Sequence, residues 1–348
     1  MRVLVYGAGA VGSYVGGSLA SAGHEVTLVV RPNAAETISK SGLRLSHPDK
    51  PDVLADVALV TSVRQAFLDD ESYDLIVLGM KSYDVSEALN PLIAFCPQPF
   101  PPLLTLQNGI GIEEMIMEDL NALLIAGSLT TPVSRQTPDH IEVERSGRGL
   151  ALAPTRERQD IRRWVQTFAE AGIPTQRIKN YRAMKWSKAL LNMMGNASSA
   201  IINRHPKAIY SHDPTYDLEM EMLSEALKVM RRLKLKVVDL PGTPTTRLSL
   251  AVRRLPDFIV KPVLTRMVAG GRGNKLPSFH LDLSAGRKDN EVRFHNGAVA
   301  EAGRELGVAT PVNEALATIL LGMVRGEIDW HVYDGNPGRL IEEVEKYR

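Results

Sequence analysis

The sequence predicts two domains: an α/β domain with a parallel, doubly wound sheet over residues 1–180, and an all-helical domain over residues 181–348. Short apolar segments alternate with helical patterns in the first half, and a glycine-rich turn follows the first apolar segment. After about Lys179 only helical periodicity continues. A chain of 348 residues, 44% of them apolar, can form two packed cores.

The predicted strands of the first domain are short and mostly apolar. They are Val3–Tyr6, Glu25–Val30, Leu75–Leu78, Leu103–Leu106, Ile125–Leu129 and Leu150–Ala153. A helix rich in small residues, Ala10–Ala22, separates the first two strands. Because strands covered by helices on both faces read as continuous apolar runs, this alternation predicts a parallel sheet.

Helical periodicity accounts for most of the second half. The predicted helices are Arg182–Ile202, Tyr216–Lys234 and Glu291–Leu306. Breaks rich in proline and glycine occur at residues 241–244 and 270–273. No strand pattern returns, so the second domain is predicted to be entirely helical.

The composition argues against several classes of function. A net charge of +1, from 41 basic and 40 acidic residues, provides no bulk field for nucleic acid or anionic membrane. The single cysteine, Cys96, excludes a disulfide framework and a cysteine-rich zinc site, and the histidines lack metal-ligand spacing. No apolar run reaches the length of about eighteen residues that a spanning helix needs, and the N-terminus does not read as a signal peptide.

We therefore expect a cytoplasmic protein that acts without nucleic acid, membrane or metal. Its oligomeric state stays open, and a homodimer is among the alternatives.

The turn after the first predicted strand has the spacing G-x-G-x-x-G. Its sequence is Gly7-Ala8-Gly9-Ala10-Val11-Gly12. The first glycine permits a tight turn, the second lets a pyrophosphate approach the backbone, and the third lets the helix pack closely on the strand. An ordinary glycine turn is the alternative, but the strand before it and the helix and strand after it favour a Rossmann-type dinucleotide site.

Arg31 bears on the choice between NAD(H) and NADP(H). In NAD binders an acidic residue follows the second strand and binds the ribose hydroxyls. Here Arg31 occupies that place, and a guanidinium there matches the 2′-phosphate of NADP(H). A surface arginine that caps the strand is the alternative.

Two further polar residues follow buried strands. Lys81 comes after Leu75–Leu78, where it can neutralise a cofactor phosphate or lie in a solvated loop. Asn108 comes after Leu103–Leu106, at the kind of strand end where ligands of open α/β sheets bind. Asn-Gly is also an ordinary turn dipeptide.

Lys188, Asn192 and Asn196 are spaced four apart within the predicted helix Arg182–Ile202. At that spacing they form one polar stripe on an otherwise apolar helix, which faces water, a partner or a ligand. In a reductase, a lysine ammonium can stabilise the charge that develops on a carbonyl oxygen and supply its proton. Carboxamides can bind substrate oxygens, and a solvent-facing stripe is the alternative.

With these motifs in this order, the sequence resembles the ketopantoate reductase (2-dehydropantoate 2-reductase) family over nearly its whole length. The resemblance rests on the glycine motif, Arg31, Lys81, Asn108-Gly109-x-Gly111, Trp186-x-Lys188-x-x-x-Asn192-x-x-x-Asn196 and a C-terminal signature. That signature contains Ser278, Asp282-Leu283-x-Ala285-Gly286-Arg287, Glu291-Val292, Asn296-Gly297-Ala298 and Leu306-Gly307-Val308-x-Thr310-Pro311-Val312-Asn313.

The resemblance implies reduction of 2-dehydropantoate, a 2-oxo acid, to pantoate with NADPH, a step of pantothenate biosynthesis. It implies that Lys188 is the general acid and that Glu291 binds the substrate hydroxyl and contacts the cofactor. Arg31 and Lys81 then hold the adenosine phosphate end of NADPH. The residues implied to surround substrate and cofactor are Asn108, Asn192, Asn196 and Ser278.

Two features depart from the family pattern. One extra residue stands between Asp282 and Glu291, which can shift the carboxylate or exchange its role with Asp289. A family asparagine that precedes the Ser278 position is matched only loosely by Asn274. These departures leave another 2-oxo acid open as the substrate, and a non-catalytic NADP(H)-sensing protein is the alternative from another class.

Overall fold

The computed structural model describes residues 1–68, 72–271 and 276–348, which form two compact units. The first consists of Met1–Met184 and Leu240–Thr243, and the second of Lys185–Asp239 and Pro244–Arg348. The short return of Leu240–Thr243 is not indicated by the sequence. It forms a tight turn in which Pro241 accepts a hydrogen bond from Thr130 Oγ1 at 2.7 Å.

The first unit contains two sheets and the helices that cover them. Its strands are β1 (Arg2–Tyr6), β2 (Glu25–Val29), β3 (Leu43–His47), β4 (Lys50–Ala55), β5 (Ala58–Val60), β6 (Leu75–Leu78), β7 (Leu103–Thr105), β8 (Leu124–Leu129), β9 (Val133–Thr137), β10 (His140–Val143), β11 (Leu150–Pro154) and β12 (Thr175–Arg177). Its helices are α1 (Ala10–Ser21), α2 (Pro32–Ser41), α3 (Val63–Ala66), α4 (Val85–Phe95), α5 (Ile112–Asp119) and α6 (Arg162–Glu170), with a 3₁₀ turn at Ser82–Asp84.

The main sheet has the strand order β12-β11-β8-β7-β6-β1-β2-β5, so the predicted α/β architecture is confirmed. Neighbouring strands from β8 to β5 are parallel. The prediction of a fully parallel sheet is wrong at β11, which runs antiparallel to β8. The chain between these strands forms β9 and β10 instead of a crossover helix, and a parallel neighbour would need such a crossover.

A second sheet, of order β4-β3-β10-β9, was missed by the sequence analysis because its strands are short and partly polar. This sheet packs on α1, and the small residues of α1 allow the close approach. A Cβ at Gly16 would lie 2.7 Å from Leu28 of the main sheet, and one at Gly17 would lie 3.0 Å from Leu45 of the second sheet. The two glycines therefore let α1 fit closely against both sheets.

The second unit is helical, as predicted, and α7 begins in the first unit and continues into it. The helices are α7 (Tyr181–Met193), α8 (Ala197–Ile202), α9 (Pro206–Ser211), α10 (Asp213–Arg232), α11 (Thr245–Arg254), α12 (Asp257–Gly271), α13 (Ser278–Ser284), α14 (Asn296–Leu306), α15 (Pro311–Val324) and α16 (Pro337–Glu345). 3₁₀ turns occur at Glu291–Phe294 and Trp330–Val332. Over the described ranges, no helix has both the length and the apolar character needed to cross a bilayer.

Part of the C-terminal signature has a structural role. Glu225, buried in α10, accepts hydrogen bonds from the backbone N–H groups of Val312 and Asn313, each at 3.0 Å, where α15 begins. The Asn296 carboxamide donates to Asn313 Oδ1 at 3.1 Å. Burial raises the pKa of Glu225, while the hydrogen bonds from Asn313 and Val312 oppose that shift. These contacts join α10, α14 and α15.

Candidate functional site

The residues predicted to bind a cofactor follow four neighbouring strands of the main sheet. Residues 7–12 follow β1, Arg31 follows β2, Lys81 follows β6 and Asn108 follows β7. Because these strands are adjacent and parallel, their carboxyl ends lie at one edge of the sheet. The strand order reverses between β1 and β6, and open α/β sheets bind ligands at such a point.

The glycine turn has the shape of a phosphate cradle. Gly7 has φ +96°, and a Cβ there would lie 2.5 Å from the backbone nitrogen of Met80. A Cβ at Gly12 would lie 2.2 Å from the carbonyl oxygen of Gly7. At Gly9, in contrast, a Cβ would meet nothing within 4 Å. The backbone is therefore packed at two glycines and open at the third.

The first turn of α1 contains no acidic residue, and Gly9, the N-cap residue before it, has no side chain to cap the helix. The backbone N–H groups and the positive end of the helix dipole there suit an anion. The open space at Gly9 and this helix N-terminus fit the pyrophosphate of a dinucleotide.

Gln107 connects the strand ends at this edge, and the sequence analysis did not assign it a role. Its buried carboxamide donates to the carbonyl oxygens of Leu78 at 2.9 Å and Met80 at 3.1 Å. Gln107, the residue before Asn108, is thus joined to the segment between β6 and Lys81. A glutamine directly after a buried strand is the signal that could have revealed it.

Arg31 and Lys81 differ in exposure. Arg31 is exposed and stands immediately before α2, and in the described part of the chain it forms no ion pair. Lys81 is half-buried and precedes the 3₁₀ turn Ser82–Asp84. The exposed guanidinium can approach a phosphate without first breaking an ion pair.

The prediction that Lys188, Asn192 and Asn196 share one helix is wrong. Helix α7 ends at Met193, and Gly195 then adopts a left-handed conformation with φ +56°. Lys188 and Asn192 stay one turn apart on α7 and are half-buried. Asn196 stands after the break, where α8 begins, and is buried.

A buried carboxylate stabilises this break. Glu219 of α10 accepts hydrogen bonds from the backbone N–H of Gly195 at 2.7 Å and from the Tyr210 hydroxyl at 2.9 Å. The Ser198 hydroxyl donates to its other oxygen. An isolated glycine in a helical pattern is often tolerated, so the sequence alone did not indicate the break.

Asn196 binds the start of α13, which brings two predicted residues together. Its Nδ2 lies 3.4 Å from Ser278 Oγ and donates to the Asn192 carbonyl oxygen at 3.0 Å. Its Oδ1 accepts a hydrogen bond from the backbone N–H of Phe279 at 3.2 Å. Both polar atoms of the carboxamide are thus used within the helical unit.

Glu291 is 3% exposed and begins a 3₁₀ turn. Asn290 caps that turn, and the sequence analysis did not single it out. The fully buried Asn290 accepts a hydrogen bond from the Val292 N–H at 2.9 Å and donates to the Phe279 carbonyl oxygen at 3.1 Å. Phe279 follows Ser278 and Asn290 precedes Glu291, so the Asn290–Phe279 hydrogen bond joins the two chain segments that carry Ser278 and Glu291. Asp289, the alternative carboxylate, is only half-buried.

The helical unit thus presents a lysine, a buried glutamate, a serine hydroxyl and two asparagines on elements joined by hydrogen bonds. Such groups can bind a carboxylate and hydroxyl and protonate a carbonyl oxygen. Asn274 lies outside the described residues. Within the described ranges, no three His, Cys, Asp or Glu side chains are grouped as metal ligands.

The glycine turn yields a test with an internal control. Gly9→Ala should leave the thermal unfolding midpoint near that of the parent, because its Cβ meets no atom within 4 Å. It should weaken dinucleotide binding by about tenfold or more, because the methyl group takes the place of a phosphate. Gly12→Ala should instead lower the unfolding midpoint, because its Cβ would lie 2.2 Å from the Gly7 oxygen. Differential scanning fluorimetry and fluorescence titration measure the two effects, and unchanged dinucleotide affinity in Gly9→Ala would contradict the assignment.

Comparison with known proteins agrees with both halves of this description. Residues 3–152 match the family profile described as ketopantoate reductase PanE/ApbA, and residues 180–324 match the profile for the C-terminal part of the same family. A 2-dehydropantoate 2-reductase of Pyrococcus horikoshii is 29% identical over 316 residues, which cover 90% of this chain and 94% of that protein.

Two solved structures have the same architecture. The PanE/ApbA family ketopantoate reductase of Ralstonia eutropha superposes with a TM-score of 0.78 at 26% identity, covering 94% of this chain and 99% of the other. A D-mandelate dehydrogenase solved with NADH and anilino(oxo)acetate superposes with a TM-score of 0.77 at 20% identity, again covering 94% and 99%, and shows the fold alone. Together the two profile matches span most of the chain, and it belongs to the ketopantoate reductase PanE/ApbA family.

Proposed function

We propose that this protein reduces 2-dehydropantoate to pantoate with NADPH. The observation that carries the proposal is the hydrogen-bonded chain from Asn196 through Ser278 and Phe279 to Asn290, the residue before Glu291, in the unit that also carries Lys188. Relatives named 2-dehydropantoate 2-reductase that cover 90% or more of this chain support it.

The proposed chemistry divides between cofactor and protein. When bound, NADPH supplies the hydride that reduces the ketone carbon. The Lys188 ammonium stabilises the negative charge that develops on the ketone oxygen and donates the proton that completes the alcohol. Glu291 binds the substrate hydroxyl, and Asn192 and Ser278 orient the remaining substrate oxygens.

The proposed preference for NADPH rests on Arg31. The exposed guanidinium at the end of β2 suits the dianionic 2′-phosphate, and a carboxylate at this place would repel it. Lys81, at the end of β6, adds a second cation at the same edge of the sheet. The NADH in the D-mandelate dehydrogenase structure belongs to a protein 20% identical, and this similarity does not decide the cofactor of the present chain.

Another 2-oxo acid is the second candidate substrate, and the extra residue before Glu291 favours it. That residue lies within residues 287–290, between α13 and the 3₁₀ turn that Glu291 begins. A different length there changes how the carboxylate is presented to the substrate. Turnover measured on a panel of 2-oxo acids separates the two candidate substrates. The cytoplasmic location of the protein stays a prediction.

Lys188→Ala should lower kcat for 2-dehydropantoate by roughly 100-fold or more, because the transition state loses its proton donor. The Kd for NADPH should stay close to that of the parent. Lys179→Ala, which removes an exposed lysine just before α7, is the matched control and should keep full activity. NADPH absorbance measures turnover, and fluorescence titration measures binding.

Normal turnover in Lys188→Ala would remove this residue from the mechanism. NADPH binding by the parent without turnover of any 2-oxo acid would instead favour a non-catalytic sensor of NADP(H).

Arg31→Gln should lower kcat/KM with NADPH by roughly ten- to 100-fold, which corresponds to the loss of one charge-assisted interaction with the 2′-phosphate. Activity with NADH should change little, because NADH lacks that phosphate. Arg44→Gln removes an exposed arginine of β3 and should leave the NADPH-to-NADH ratio unchanged. A parent enzyme that prefers NADH would contradict the role given to Arg31.

Asn290→Ala should raise KM for the 2-oxo acid by about tenfold, because Glu291 loses the contact that joins it to α13. Asn290→Ser keeps an acceptor for the Val292 N–H and should lie between the parent and Asn290→Ala. Asn336→Ala is the matched control, since Asn336 accepts from Arg339 N at 3.1 Å at the start of α16. That control should lose about 1 kcal/mol of stability without a change in KM. A KM shift of equal size in both alanine variants would make the role of Asn290 purely structural.

A further inference from the structure

A second concave site lies in the helical unit, between the end of α10 and α11. Its volume is about 570 Å³, a size typical of small-molecule sites. One wall comes from the last turn of α10 and the segment that follows it, and the other from α11. The proposed reduction uses none of its lining residues.

Five cationic side chains line this pocket. They are Arg231, Lys234, Lys236, Arg253 and Arg254. None of the five forms an ion pair with a residue that the structure describes. Elsewhere in the same unit arginines are paired with carboxylates, as in Arg204–Asp334, Arg304–Glu314 and Arg348–Glu221. Like charges that converge on one cavity repel each other unless an anion joins them.

The backbone at Lys234 adds a second observation. Lys234 follows the end of α10 with φ +58°, a left-handed conformation that favours glycine at this place in a helix end. The hydrogen bonds from Lys234 N to Arg231 O at 3.1 Å and from Leu235 N to Met230 O at 2.9 Å close the turn. A lysine here is unfavourable for the backbone alone, but it adds a cation to the pocket wall.

The rest of the lining is apolar or hydroxylated. Of the apolar lining residues, Met230 is buried and Leu250 is 53% exposed, so the pocket has an apolar surface beside its cations. Thr246, a residue of the lining, donates hydrogen bonds from its backbone N–H and its hydroxyl to Asp239 at 2.8 and 2.7 Å.

We propose that this pocket binds the phosphate or polyphosphate group of a small-molecule anion. Several cations around one cavity match a multiply charged group, because arginine guanidinium groups bind phosphate oxygens with paired hydrogen bonds. The apolar surface accommodates the carbon skeleton of an organic phosphate. Three of the cations, Arg231, Arg253 and Arg254, also stand in last helical turns, where they complement the helix dipole.

The test is isothermal titration calorimetry of the full chain with inorganic tripolyphosphate at an ionic strength of about 0.15 M. The triple variant Arg231→Gln/Arg253→Gln/Arg254→Gln should raise Kd by about tenfold or more. The control triple Arg177→Gln/Lys179→Gln/Arg325→Gln removes three exposed cations outside the pocket and should leave Kd within about twofold. Equal weakening in both triples, or none in the first, would overturn the proposal.

Lys234→Gly keeps the test independent of folding defects. Glycine suits the left-handed backbone, so this variant should raise the unfolding midpoint while it weakens tripolyphosphate binding. Unchanged binding in this variant would count against the site.

Loss of tripolyphosphate binding in Arg31→Gln/Lys81→Gln would also overturn the proposal, since the anion would then occupy the first unit. Tighter binding of hexyl phosphate than of methyl phosphate supports an organic ligand, and equal binding supports an inorganic polyphosphate.

Discussion

The polar residues of the helical unit depend on one buried contact, between the Asn196 carboxamide and the first turn of α13. The carboxamide accepts from the Phe279 N–H and reaches the hydroxyl of Ser278, which holds that hydroxyl at the start of α8. The Phe279 carbonyl oxygen in turn accepts from Asn290, whose backbone leads directly into Glu291. Asn196 and Asn290 together therefore relate the positions of a serine and a glutamate that are 13 positions apart in the sequence. Preorganisation of this kind is what a site needs to hold an oxo acid in one orientation.

The sheet edge could be predicted from the sequence because its logic is local. An apolar run predicts a buried strand, and the polar residue after it must then lie at the carboxyl edge, as Arg31, Lys81 and Asn108 do. The direction of β11 and the presence of the second sheet depend on how residues 130–149 pair, and partly polar strands carry a weak periodic signal. The local pattern therefore placed these residues at the carboxyl edge without predicting the whole sheet.

The supporting contacts could not be predicted because they join residues far apart in the chain. Asn196 and Phe279 are 83 positions apart, and Gln107 and Leu78 are 29 apart. Gly195 illustrates the same limit within a short segment. Its left-handed backbone depends on the carboxylate of Glu219, a residue of another helix, and a glycine in a helical pattern does not by itself reveal such a partner.

Among the residues that the structure describes in the helical unit, three glutamates are buried, and their surroundings distinguish them. Glu219 and Glu225 each accept backbone N–H groups, at the break after α7 and at the start of α15, so their carboxylates stabilise chain geometry. At Glu291 the arrangement is reversed, because the neighbouring Asn290 side chain caps the 3₁₀ turn and the Glu291 carboxylate is not needed as the cap. Burying a carboxylate is costly unless it has a specific use. Because Asn290 caps this turn, capping does not require the Glu291 carboxylate, which is compatible with the substrate-binding role proposed for Glu291.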